Sequence, residues 1–375
     1  MTTLRPMTRV CLVLSIGAAI AFGRIQEPAR SGLTPRVVAA LGRQLAAERE
    51  RKQIPALSVA VLHRDGRWVE AFGTADLENG VAATPASIFR LASISKPITA
   101  TAALRLQEQG KLDLDADIRK YVPSFHIKPW PITPRRLLGH LGGIRGYRPG
   151  EVASTRHYVD VVTPLAIFAE DPLAHEPGSK YLYSTYGYNL LGAAVETASG
   201  RPFVETLREL VFEPAGMTAT GPDDARALIP NRVRGYRPGP DGKPVNCILA
   251  DTSNKIPGGG LCAPAADVAA FGKAFLDGKL VQPATRTLMF TPQRLNSGEK
   301  TKYGLGWNVG SHQGRREILH TGGQPGTSTI LYLRPDEGIV VAILTNLEGA
   351  KLQEAARSIA DRVAAEAEAP VPAAP

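Results

Sequence analysis

Residues 89–97 of the chain, FRLASISKP, place an apolar segment before a serine at the predicted start of a helix. Pro97 is tolerated only near a helix N-terminus and Gly110 marks the end, so this helix starts close to Ser93. Ser93 and Lys96 are three residues apart and therefore share one face of the first turn. A lysine held in a partly dry pocket can lose its proton and act as base for the serine hydroxyl. The pair is a candidate acylation site.

The Ser-x-x-Lys spacing is weak evidence by itself, because about one or two matches are expected by chance in a chain of this length. A second match, from Ser297 to Lys300, lies in a polar, glycine-containing run that predicts a surface loop, and it serves as an internal control. A capping serine and a solvated lysine remain the simpler explanation of the pattern alone. The position of Ser93 at the positive end of a helix dipole, where an oxyanion would be stabilised, favours catalysis.

The first residues have the composition of a secretory signal peptide. Arg5 and Arg9 precede an apolar run, and residues 21–23 form a small-residue cleavage pattern, so residues 1–23 predict a signal peptide and residues 24–32 a linker. The apolar run is short for a membrane span, and an uncleaved membrane anchor is the alternative. We therefore expect a protein exported to the periplasm, with membrane contact only through this segment if it is not cleaved.

Composition narrows the range of partners and cofactors. The 375-residue chain has a formal net charge of +9, but its basic residues alternate with acidic ones, so no nucleic-acid partner is expected. Cys11 lies in the predicted signal peptide. We expect Cys247 and Cys262 to be separate buried thiols, although export would permit a disulfide. The dispersed cysteines and histidines show no metal-ligand spacing, so no metal or other cofactor is predicted.

The order of elements predicts an α/β chain of the α+β type, with a sheet built from both ends of the sequence and helices on its faces. Residues 33–95 and 300–365 form the predicted sheet lobe, residues 96–299 an inserted, mostly helical lobe, and residues 366–375 a disordered tail. A cleft between the lobes is the expected site. The elements predicted in the sheet lobe are helices near 35–52 and 350–365 and β segments at 56–62, 68–72, 305–309, 317–320, 327–333 and 339–344.

Three segments in order resemble the signatures of the serine β-lactamase and penicillin-binding protein superfamily. They are Ser93-Ile94-Ser95-Lys96, then Tyr183-Ser184-Thr185 for its Tyr-x-Asn element, and His320-Thr321-Gly322-Gly323 for its Lys-Thr-Gly element. Within the superfamily the chain is most similar to the class C and family VIII esterase branch, and to LACTB-type serine proteases with their bacterial relatives. The resemblance implies an antiparallel sheet flanked by helices, with the helical lobe inserted.

The resemblance also implies an exported serine hydrolase that works through an acyl-enzyme on an ester or peptide (amide) bond. Ser93 would be the nucleophile, and Lys96 and Tyr183 would move its proton to the leaving group, with Tyr183 activating the deacylating water. The backbone N–H groups of Ser93 and Gly323 would form the oxyanion hole. The implied substrate-binding residues are Thr185, His320, Thr321 and Gly322.

Two positions depart from the β-lactamase pattern. Thr185 replaces asparagine, and a hydroxyl cannot reproduce an amide that both donates and accepts. His320 replaces lysine, and with an ordinary pKa of about 6.5 it would be mostly neutral at pH 7 to 8 and would favour neutral acyl groups over those with a carboxylate.

Other interpretations of the same residues stay open: Tyr183 could be a tyrosine that packs a helix start, and His320 a structural histidine of a strand. The enzymatic alternative is a true β-lactamase or a D-amino-acid peptidase or carboxypeptidase, and the alternative of another class is a non-catalytic binding or scaffold protein that kept the fold. Three aromatic residues near the signatures are predicted to be packing groups: His140, Tyr186 and Tyr188.

Overall fold

The computed structural model describes residues 31–369, so the predicted signal peptide, most of the linker and residues 370–375 lie outside the described part of the chain. The helices are α1 Pro35–Arg51, α2 Ser95–Glu108, α3 Pro134–Leu138, α4 Thr185–Ser199, α5 Phe203–Leu207, α6 Glu213–Ala215, α7 Ile256–Gly259, α8 Ala265–Leu276, α9 Pro283–Met289 and α10 Gln353–Glu368. The strands are β1 Ala56–His63, β2 Gly66–Asp76, β3 Val81–Ala82, β4 Phe89–Arg90, β5 Gly221–Pro222, β6 Tyr236–Pro238, β7 Pro244–Asn246, β8 Leu261–Ala263, β9 Asn308–His312, β10 Arg315–Gln324, β11 Thr327–Arg334 and β12 Ile339–Thr345.

The main sheet has seven antiparallel strands in the order β3-β2-β1-β12-β11-β10-β9. The hairpin β1-β2 comes from the start of the domain and β9 to β12 from its end, and the two groups meet where Leu57 lies opposite Thr345. The prediction of an antiparallel sheet flanked by helices is therefore confirmed.

Both faces of the sheet are covered because alternate side chains of its central strands point to opposite sides. In β12, Val341 and Ile343 belong to a core shared with α1 and α10. The intervening Val340, Ala342 and Leu344 belong to a second core that includes α2, α4 and α8. The continuous apolar run that predicted a buried central strand is explained by this burial on two faces.

Residues 96–299 hold most of the helices, together with short strands that the sequence did not predict. β5 and β8 form a small three-stranded sheet with β4, which precedes this range, and β6 and β7 pair as a hairpin. The first of these sheets matters for function, because β4 leads directly into the turn that carries Ser93.

Several boundaries differ from the sequence-based prediction. β9 begins at Asn308 rather than near residue 305, because Gly306 has a left-handed φ of 89° and the N–H of Leu305 donates to the carbonyl of Met289 at 3.0 Å. α10 extends to Glu368, so residues 366–368 of the predicted tail are helical.

The remaining fold-level predictions concern loops, thiols and membrane spans. Ser297 lies exposed in a turn, as expected for the second Ser-x-x-Lys match. Cys247 and Cys262 are free thiols, the first half-buried and the second buried. Within residues 31–369, no helix is both long enough and apolar enough to span a bilayer.

Candidate active site

The turn that carries Ser93 is held by its neighbours on both sides. Arg90 of β4 lies opposite Cys262 of β8, and the chain then turns at Ala92, whose φ is 49°. The Ser95 hydroxyl donates to the carbonyl of Ala92 at 2.8 Å and accepts the N–H of Leu261 at 3.2 Å. A single 3₁₀ turn, Ala92–Ile94, runs into α2 at Ser95, so the serine lies at a helix start, as predicted.

Lys96 is fully buried and its Nζ lies 3.1 Å from Ser93 Oγ. The same nitrogen donates to the carbonyl of Gly258 at 2.6 Å and lies 3.1 Å from Thr185 Oγ1. Burial, and then the positive charge of Lys255, hold the pKa of Lys96 well below its usual value. A neutral amine can therefore accept the serine proton, which is the arrangement a nucleophilic serine needs.

The ring of Tyr183 also lies next to the Lys96 amine. This residue precedes α4, whose N-cap Ser184 accepts the N–H of Gly187 at 3.0 Å, and Lys96 Nζ is 4.8 Å from the centre of the Tyr183 ring. The residue is 39% exposed. Burial raises the pKa of Tyr183 above its ordinary value, although the neighbouring Ser93 hydroxyl acts to lower the pKa of the phenol, so the side chain is a neutral phenol.

Strand β10 supplies the opposite wall of the cleft. β9 pairs with it only as far as Leu319, so residues 320–324 form a free edge. Gly322 packs so closely against the serine segment that an added Cβ would lie 2.4 Å from the Leu91 carbonyl oxygen. The Thr329 hydroxyl also donates to this oxygen, at 2.9 Å. These contacts bring the backbone of Gly323 beside the Ser93 turn, where the predicted oxyanion hole would lie.

The role expected of His320 needs correction. The side chain is 1% exposed; its Nδ1–H donates to the carbonyl of Thr321 at 2.8 Å and its Nε2 accepts from the Tyr303 hydroxyl at 2.9 Å. Burial, and then the charge of Lys96, lower the pKa of His320 to about 3. The histidine is thus neutral at working pH with both nitrogens engaged. The prediction that it reads substrate charge near pH 6.5 is wrong.

Thr185 contacts the buried amine. It is 7% exposed, and its hydroxyl lies 3.1 Å from Lys96 Nζ and beside the Tyr147 phenol. The contact helps to position the amine, and the predicted contact of Thr185 with a substrate stays a prediction. Thr321, in contrast, is exposed on the free edge of β10 and stays available for substrate contact.

The three predicted packing groups are buried. The Tyr186 hydroxyl donates to Glu151 at 3.0 Å and the Tyr188 hydroxyl to the Leu138 carbonyl at 2.8 Å. His140 has a φ of 58°, accepts the Ser184 N–H on Nδ1 at 3.2 Å, and lies 4.2 Å from the Tyr183 ring, centre to centre. It packs against the Tyr183 ring, and its Nε2 has no hydrogen-bond partner among the described residues.

Because Tyr183 lies beside Lys96 while the hydroxyls of Tyr186 and Tyr188 are bonded elsewhere, we expect the three clustered tyrosines to differ sharply in their effects. Tyr183→Phe should lower kcat by about 10²-fold or more with little change in thermal unfolding, since it removes a proton relay. Tyr186→Phe and Tyr188→Phe remove hydrogen bonds from packed rings, so they should lower stability by about 1 kcal/mol and keep kcat near normal. Equal losses of kcat in all three variants would contradict the relay role.

Sequence reasoning missed three contributors: Tyr147, the Gly258 carbonyl and Lys255. The glycine run 258–260 is visible in the sequence, but nothing local shows that its backbone accepts from Lys96. Lys255 looks like an ordinary polar residue, yet it is 2% exposed and lies over the Tyr147 ring at 5.5 Å. Within residues 31–369, no group of three or more His, Cys, Asp or Glu side chains is placed to hold a metal ion.

Comparison with known proteins agrees with this geometry. The family model described as Beta-lactamase matches residues 41–365. Serine beta-lactamase-like protein LACTB, mitochondrial, of Homo sapiens is 29% identical, over 79% of this chain and 74% of that protein. Penicillin-binding protein 4* of Bacillus subtilis (strain 168) is 28% identical, over 80% and 69%.

The fold is also that of solved structures. The D-stereospecific amidohydrolase from Streptomyces sp. superposes with a TM-score of 0.73 at 23% identity, covering 85% of this chain and 97% of that one. The family match spans most of the chain, and its three signature segments meet around Ser93 in a single cleft. The chain therefore belongs to the β-lactamase family.

Proposed function

We propose that the protein is an exported serine hydrolase that cleaves an ester or peptide (amide) bond through an acyl-enzyme on Ser93. The observation that carries the proposal is the 3.1 Å contact between Ser93 Oγ and the Nζ of Lys96, a buried amine whose strongest charged neighbour is another cation rather than a carboxylate. Export is supported by the composition of residues 1–23.

In the first half of the reaction, neutral Lys96 takes the proton of Ser93 while the serine oxygen attacks the carbonyl carbon. The oxyanion that forms accepts from the backbone N–H groups of Ser93 and Gly323, and the helix dipole of α2 adds to its stabilisation. The protonated amine then returns the proton to the leaving group through the Tyr183 hydroxyl. Expulsion of the alcohol or amine leaves the acyl-serine.

Deacylation reverses these roles with water as the nucleophile. The raised pKa of Tyr183 disfavours a tyrosinate, so the phenol accepts a proton from water only as it gives its own to another group. The lowered pKa of Lys96 makes the amine the final acceptor. Lys96 is thus the base and Tyr183 the relay in both halves.

An activated serine should react with a fluorophosphonate probe, and this reaction separates the hydrolase from a non-catalytic binding or scaffold protein of the same fold. We expect labelling of the wild-type protein at Ser93, found by peptide mapping, and none in Ser93→Ala. Ser297→Ala is the matched control because that serine has the same spacing to a lysine but lies exposed in a turn. Labelling at Ser297, or no labelling at all, would overturn the proposed function.

A further inference from the structure

A cavity of about 420 Å³ opens beside the serine turn. Its walls come from β4, from the segments 232–235 and 246–251, and from the β10-β11 turn at Gly326. Arg90, in its wall, precedes Ser93 by three residues, which places their Cα atoms within about 11 Å of each other. Arg90 also donates to the carbonyl of Pro325 at 3.2 Å, just after the free edge of β10. The cavity therefore lies close to the nucleophile, next to the end of the β10 edge.

Arginines are prominent in this wall. Three of them line the cavity, and its acidic lining residue is Asp251, whose carboxylate lies 2.9 Å from His157. The outermost, Arg234, is paired with Glu78 at 2.6 Å. Arg90 and Arg232 share one buried carboxylate, that of Asp223, at 2.7 and 3.5 Å. The single carboxylate of Asp223 is thus the ion-pair partner of two guanidinium groups.

A buried lysine and a buried amide lie near this wall. Lys255 is buried, and its Nζ donates to the carbonyl of Val152 at 3.3 Å. Burial, and then the charge of Arg90, lower the pKa of Lys255 to about 8, which is the response of a cation in a positive field. Gln324, the last residue of β10, has a buried amide Nε2 with no hydrogen-bond partner among the described residues.

Hydrogen-bond donors remain for a ligand. A guanidinium has five N–H donors, and Arg90 uses three, on Asp223, Pro325 and the Ala250 carbonyl. The side chains of Arg90 and Arg232 are 23% and 29% exposed, so solutes reach them. An anion in this position would receive charge-assisted hydrogen bonds in partly desolvated surroundings.

We propose that this arginine cavity binds a carboxylate carried by the substrate while Ser93 attacks the carbonyl at its mouth. The inference rests on the proposed hydrolase function and names its substrate class, which is esters or amides with an anionic group some atoms away from the scissile bond. Neutral His320 offers no charge on its side of the cleft, so recognition of the anion comes from β4 and the segment 232–235 instead.

The test uses two aryl esters that differ in one charged group, p-nitrophenyl butyrate and the mono-p-nitrophenyl ester of glutaric acid. We expect kcat/KM to be about tenfold or more higher for the glutarate ester, and this ratio should fall as salt rises from about 0.05 to about 0.5 M. Arg232→Gln should reduce the ratio about tenfold, mainly through the KM of the glutarate ester. Arg201→Gln, an exposed arginine paired with Glu209, should leave the ratio unchanged. A wild-type ratio near one, or an equal loss for both esters in Arg232→Gln, overturns the proposal.

A binding measurement tests the anion site without turnover, and a second variant covers the case in which the first does not fold. Glutarate, but not neutral glutaramide, should bind the Ser93→Ala protein in a calorimetric titration, and Arg234→Gln, at the exposed end of the cavity, should weaken that binding. If Arg232→Gln fails to fold, Arg234→Gln provides the same comparison. Absence of glutarate binding to the Ser93→Ala protein overturns the cavity assignment. If glutarate binds, but the wild-type protein neither hydrolyses the esters nor reacts with the fluorophosphonate, only the proposed function is overturned.

Discussion

Replacing Lys96 with methionine should lower the rate of Ser93 acylation by about 10²–10⁴-fold while the protein stays folded. Methionine has a similar length and fills the buried site with an apolar chain, so the desolvation cost of the amine disappears together with its catalytic role. Stability should therefore be equal or higher. Burst kinetics with a p-nitrophenyl ester measure the acylation rate, and thermal unfolding measures the stability. Lys300→Met, in the exposed second Ser-x-x-Lys segment, is the matched control.

The acylation rate should also depend on pH in a defined direction. Because burial and the charge of Lys255 lower the pKa of Lys96, the active neutral amine appears well below pH 10.5. In the wild-type protein the acylation rate should rise with pH as Lys96 loses its proton and then reach a plateau. The same rise in Lys96→Met, or an unchanged rate, would show that another group is the base.

Gly322→Ala should disable the site through a steric effect on the backbone. The added Cβ would meet Thr329 Oγ1 at 2.2 Å and the Leu91 carbonyl oxygen at 2.4 Å. Leu91 lies two residues before Ser93, so relief of this clash moves the nucleophile. We expect a loss of about 1–3 kcal/mol in the free energy of unfolding and a fall of about 10²-fold in kcat/KM.

Gly323→Ala is the matched comparison, since a Cβ at Gly323 meets nothing within 4 Å. Its thermal unfolding should match that of the wild-type protein. Chemical denaturation and the rate of fluorophosphonate labelling measure both variants. A Gly322→Ala protein as stable and as rapidly labelled as the wild type would contradict the close packing of β10 on the serine segment.

The parts of the site that sequence predicts are those fixed by nearby residues. The spacing of Ser93 and Lys96 and the position of Pro97 determine their common helical turn, because that geometry is local. The long strands of the main sheet follow from apolar patterns that tolerate small shifts, and the shifted start of β9 arises from the left-handed conformation of Gly306.

The error at His320 has a physical cause that the sequence does not show. The side chains of His320 and Thr185 both look like substrate ligands in the sequence, yet each has a partner from another element. His320 bonds with Tyr303, and Thr185 lies against Lys96 of α2. Burial sets the proton affinity of such groups, and burial depends on contacts distant in the sequence. The sequence does not predict the arginine cavity either, because its guanidinium groups come from separate segments of the chain.

The pairing of β1 with β12 also has a consequence for synthesis. Strand β1 has to wait for the last strand of the domain before its second edge is covered, so the sheet closes late and over a long stretch of chain. The serine turn emerges early, but the β10 backbone that completes its cleft is among the last parts to be translated. A nascent chain therefore carries the Ser93 turn before the strand that packs against it. On the proposed function, hydrolysis would begin only when the whole domain has been translated and has folded.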